Sequence, residues 1–92
     1  MTEERKKQLE EGAKMAFDAL ISAGLRPSDR LKVEGGTHDS GYFVTIHRPR
    51  KAGFRDLGFQ IGPLPEDEAE CVRAVLDRCV SEREATKAEV KS

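Results

Sequence analysis

A chain of 92 residues has room for one domain around one modest core, and no room for a separate catalytic domain. Hydrophobic residues are 37 % and charged residues 36 %, so the chain is polar without being disorder-like throughout. The formal net charge is -1, the longest apolar stretch (Ala19-Leu20-Ile21) is far too short for a bilayer, and the N-terminus carries charges where a signal would be apolar; a soluble cytoplasmic protein is expected.

The first element in chain order is a helix from about Glu3 to Ala23. Thr2 can cap it, and Glu3 and Glu4 suit the positive end of its dipole. Leu9, Ala13, Ala16, Phe17, Leu20 and Ile21 recur at three- and four-residue spacing and make one buried stripe. Glu3–Lys7, Lys6–Glu10 and Lys7–Glu11 set opposite charges four apart on the solvated side. Gly24 suits the left-handed position after the helix, Leu25 can fold back on the last turn, and Pro27 prevents continuation.

A first strand is expected from Arg30 to Glu34, followed by a turn-forming loop, Gly35 to Gly41. The second strand, Tyr42 to Arg48, alternates Tyr42, Val44 and Ile46 against Phe43, Thr45 and His47. Pro49 ends its pairing and residues Arg50 to Gly53 turn the chain. The third strand, Phe54 to Ile61, sets Leu57, Phe59 and Ile61 on the inner side.

A second helix begins near Pro65, with acids that favour its start. Val72, Val75, Leu76, Cys79 and Val80 form its buried stripe. Beyond Ser81 the apolar pattern stops, so residues 1–81 are expected to form a single α+β domain and residues 82–92 a frayed or disordered tail. The expected fold is αβββα: a helix, a three-stranded antiparallel sheet and a helix, both helices on one sheet face. The other face is then open, carrying Lys32, Glu34, Phe43, Thr45, His47, Phe54 and Gln60.

Chemistry-bearing patterns are sparse. His38-Asp39-Ser40 has acid–base residue types, but neighbours in an extended loop seldom converge on one atom. Cys71 and Cys79 stand eight residues apart on one helix, about 12 Å along its axis, beyond disulfide reach. Cys79 lies on the buried stripe, where a thiol is inert packing, and Cys71 sits at the stripe's edge, after a glutamate. The two histidines and scattered acids match no tetrahedral ligand spacing. The glycine loop precedes a strand, so it lacks the geometry of a phosphate cradle. No catalytic residue, metal ligand or cofactor is assigned.

Charge segregation is the most informative feature. His47 to Arg55 carries Arg48, Arg50, Lys51 and Arg55 and no acid, whereas Glu66, Asp67, Glu68 and Glu70 cluster at the second helix start. Such separation presents local fields of opposite sign to partners.

Helix–three strands–helix resembles the double-stranded RNA-binding domain over about residues 30 to 80. Gly35-Gly36-Thr37-His38, with Tyr42 four residues on, is similar to that family's Gly-Pro-x-His and aromatic spacing, with Gly36 in place of proline. The resemblance implies a loop that enters the minor groove through His38. The family's lysine-rich run opening the second helix is replaced here by Glu66, Asp67, Glu68 and Glu70, which repel phosphate.

The expected function is non-catalytic binding of another protein. Its candidate residues are Phe43, Thr45, His47 and Phe54 on the open sheet face, and Arg48, Arg50, Lys51 and Arg55 at the basic tip. A homodimer through the open face is a variant of this reading. Size and charge are shared with phage and mobile-element inhibitors of host machinery, an analogy of composition alone. The alternative is a nucleic-acid-contacting accessory domain using His38, Arg48, Arg50, Lys51 and Arg55.

Overall fold

The computed structural model describes residues 1–26, 29–49 and 57–91. The elements are α1 (Glu3–Ser22), β1 (Lys32–His38), β2 (Gly41–Arg48), β3 (Leu57–Leu64) and α2 (Glu66–Lys91). The strands form one antiparallel sheet in the order β1-β2-β3, and the chain is αβββα of the α+β class.

Helix α1 starts where its cap predicts. Thr2 Oγ1 accepts from the Arg5 backbone N–H at 3.1 Å, satisfying one of the free amides of the first turn. Leu9, Ala13 and Leu20 are buried, with Phe17 and Ile21 packed against them. The helix stops at Ser22, and Gly24 follows with φ +112°, the conformation that favours glycine at a helix end. Side-chain pairing runs between helices: Arg5 Nη2 lies 2.6 Å from Glu68 Oε1 of α2.

Strand β1 differs from expectation. It begins at Lys32 and runs through Gly35 and Gly36 to His38, leaving only Asp39 and Ser40 as the turn into β2. The expected loop from Gly35 to Gly41 is therefore mostly strand. Gly35 pairs with Val44 and Gly36 with Phe43, so ladder bonds to a central strand override the weak strand preference of glycine. Strand β3 continues past Ile61 to Leu64, with a register irregularity opposite Tyr42 and Val44. Its expected first residues, from Phe54 to Asp56, lie outside the described residues.

Register assigns the faces. Val33–Ile46–Phe59 and Gly35–Val44–Ile61 are directly opposed across the sheet, and their side chains share the inner face. Leu31, Val44 and Ile46 there join Ala69, Val72, Val75 and Leu76 of α2 and the α1 stripe in one core. Burying a side chain such as Leu20 or Leu76, both 0 % exposed, stabilises by about 1.5–3 kcal/mol. Phe59 holds the matching register position, yet it is 39 % exposed, whereas Leu57 and Ile61 of the same strand pack against the core.

Helix α2 outruns its apolar stripe. The stripe ends at Val80, whereas the helical backbone continues to Lys91, carried by residues of good helix propensity such as Arg83, Glu84 and Ala85. Arg83 is fastened to the rest of the domain: Nη1 donates to Asp29 O at 2.7 Å and Nη2 to Arg26 O at 2.9 Å. No helix among the described residues is long and apolar enough to cross a membrane.

Candidate functional site

With both helices on one side, the opposite sheet face carries Lys32, Glu34 and His38 from β1, Phe43, Thr45 and His47 from β2, and Gly58 and Gln60 from β3. Three of the four expected face residues, Phe43, Thr45 and His47, share this surface. The fourth, Phe54, lies outside the described residues, as do Arg50, Lys51 and Arg55 of the basic tip.

Phe43 is half-buried, and its environment is specific. Gly36 stands opposite it on β1. On the β3 side a Cβ at Gly62 would lie 2.7 Å from Phe43 Cδ1, so only glycine lets the ring settle there. Its aromatic neighbour is His38, edge-on, with ring centroids 6.0 Å apart and planes at 89°.

The middle of the face is polar. Glu34 is its hub: Oε1 is 3.0 Å from Lys32 Nζ and Oε2 is 3.1 Å from His47 Nε2. Lys32, then His47, hold the Glu34 carboxyl below its ordinary pKa. Glu34, Thr45, His47, Gly58, Phe59 and Gln60 line a shallow hollow of about 440 Å³. A second groove of about 390 Å³ lies between the β1–β2 end of the sheet and the start of α2, where Glu66, Glu70 and Arg73 face Thr37 and Tyr42.

Arg48 departs from the expected basic tip. It shares the even-numbered side of β2 with Val44 and Ile46, and its side chain is 12 % exposed. Its Nη1 donates to Asp29 Oδ2 at 2.8 Å, and the same oxygen accepts the Arg26 backbone N–H at 2.8 Å. Those contacts, the backbone bond first, lower the Asp29 pKa. Arg48 Nε is buried and has no partner among the described residues. Arg48 thus serves the loop before β1, in company with Arg83. Nothing local in the sequence marks Asp29 as the acceptor, because it lies 19 residues from Arg48.

His38 and Arg48 sit at opposite ends of the β1–β2 ladder, about 23 Å apart along the strand. With Gly35 to His38 held as strand, there is no long loop to carry His38 into a groove. His38, Asp39 and Ser40 are exposed at a tight turn. Among the described residues no group of three or more His, Cys, Asp or Glu could hold a metal ion. Burial, and secondarily Glu82, push the Cys79 thiol up, which disfavours the thiolate.

No family model, curated protein or solved structure matches this chain. The similarity to the double-stranded RNA-binding domain therefore rests on element order and the Gly35-to-Tyr42 spacing alone.

Proposed function

We propose that this chain is a non-catalytic binding protein that docks the open face of its sheet on another protein. The observation that carries this is the placement of Phe43 on the face opposite the helices, seated between Gly36 and Gly62 with Thr45 and His47 on the same strand side. An aromatic ring flanked by glycines and rimmed by His38, Glu34, Thr45 and Gln60 is an apolar centre with a polar rim, the anatomy of a protein-binding patch. The free thiols Cys71 and Cys79 suit a reducing compartment, and the cytoplasm is the proposed location.

A protein partner is favoured over nucleic acid by charge. The face mixes Lys32, Glu34 and His47, the start of α2 is acidic, and Arg48 is already committed to Asp29. Shape-reading of duplex RNA needs a run of phosphate contacts that the described residues do not supply.

The test is a comparative capture from lysate of the source cell with wild type, Phe43→Ala and Met15→Ala. Met15 is 71 % exposed on α1 and serves as the control. A protein retained by wild type and Met15→Ala but lost by Phe43→Ala, with unchanged circular dichroism, supports the reading. Equal capture by all three removes it.

A further inference from the structure

We propose that two copies of this chain pair antiparallel through the free edges of their β1 strands, joining their sheets into one. This goes beyond the open-face reading, since it concerns the edge of the sheet and not its surface.

The free edge follows from topology. β1 is terminal in the order β1-β2-β3, and no described strand pairs with its outer side. His38 and Gly41 are ladder partners across the two-residue turn Asp39-Ser40, a closure that makes them a hydrogen-bonded pair. Alternation along the strand then directs the backbone groups of Glu34 and Lys32 to β2. Those of Val33, Gly35 and Thr37 point outward. Arg73 approaches this strand from the inner face, where its Nη1 lies 3.1 Å from where a Gly35 Cβ would stand.

Charge then chooses the register. If Val33 of one copy faces Val33 of the other, the outward backbone groups meet as a hydrogen-bonded pair. Lys32 then stands opposite Glu34 of the second copy, and Glu34 opposite its Lys32, both in the closely spaced type of pair. Moving the register by one pair to centre on Glu34 opposes two like charges, and centring on Gly35 opposes Lys32 to His38. Only the Val33-centred pairing among these is complementary. Within each chain Lys32 and Glu34 already lie 3.0 Å apart, so the dimer would hold four charges in one two-by-two cluster, each beside its opposite along and across the strands. A lysine at a sheet edge ordinarily discourages pairing. A glutamate two residues on, facing the same way, makes this edge self-complementary.

Sedimentation equilibrium of the whole chain across a wide concentration range tests this, with wild type, Lys32→Glu, Glu34→Lys and an equimolar mixture of the two variants. Lys32 and Glu34 side chains are 60 % and 49 % exposed, so neither reversal touches the core, and circular dichroism checks the fold. Wild type should approach twice the monomer mass as concentration rises. Each variant alone should associate at least about tenfold more weakly, since like charges then face each other. The mixture should recover association, because the variant with acids at both positions then meets the variant with lysines at both. Wild type remaining monomeric throughout overturns the proposal. So does a single variant that dimerises as well as wild type, or a mixture that fails to recover.

Discussion

Arg48 Nη1 donates to Asp29 Oδ2 at 2.8 Å, tying the end of the central strand to the loop that precedes β1. The same loop is gripped from the other side by Arg83 of α2, through the carbonyls of Asp29 and Arg26. Two guanidinium groups thereby close the corner where α1 gives way to the sheet. Both side chains are at most 14 % exposed, so these contacts form largely out of water, where a broken charged hydrogen bond leaves a costly unpaired group.

Arg83→Ala should therefore destabilise the domain by about 1–2 kcal/mol, although it lies beyond the last apolar residue of the α2 stripe. Truncation after Ser81 should cost at least as much. Urea unfolding of both variants measures this. Midpoints equal to wild type would mean that the Arg83 contacts contribute nothing.

Acid should weaken the fold in a defined window. Asp29 is held below its ordinary pKa by the Arg26 N–H and then Arg48, and Glu34 by Lys32 and then His47. A carboxyl with a depressed folded pKa contributes stability that is complete above the unfolded value, about 4, and is lost as pH falls through the folded value. Stability should thus be flat above about pH 5 in this respect and drop below about pH 4. Asp29→Asn should make that acid limb shallower. An identical pH profile in the variant would rule Asp29 out as a source.

Core substitutions should cost more. Leu20 and Leu76 are 0 % exposed and belong to the cluster shared by both helices and the sheet, so Leu20→Ala or Leu76→Ala should destabilise by about 2–5 kcal/mol. A different kind of loss is expected at Gly58. A Cβ there would lie 2.5 Å from Ile46 O and 2.6 Å from His47 Cβ, so Gly58→Ala should force β2 and β3 apart and cost about 1–3 kcal/mol. Thermal melts that show Gly58→Ala to be neutral would mean that the strands yield freely at that point.

The element order, the one-sided packing and the two helix stripes were legible in the residues, because period 3.6 and period 2 are written directly in Leu9 to Ile21, Tyr42 to Arg48 and Val72 to Val80. The extent of β1 was not. Two adjacent glycines read as a turn, and only pairing with Val44 and Phe43 on a central strand makes them extended. Arg48 shows a signal passed over: its even number places it with Val44 and Ile46, so alternation alone assigns it to the inner face and not to a solvated tip. Its partner Asp29, and the grip of Arg83, depend on tertiary proximity that no local pattern encodes.

If the open face centred on Phe43 and Thr45 is the docking surface, a bulky charge at its middle must block the partner. Thr45→Arg plants a long cation there, between Glu34 and Gln60, and the decisive quantity is the captured partner's affinity for this variant beside wild type. The fold should be unchanged by circular dichroism, and affinity should fall at least about tenfold, or about 1.4 kcal/mol. Equal affinity for Thr45→Arg, or binding of duplex RNA by wild type with a steep loss as salt rises, would contradict docking of a protein on this face.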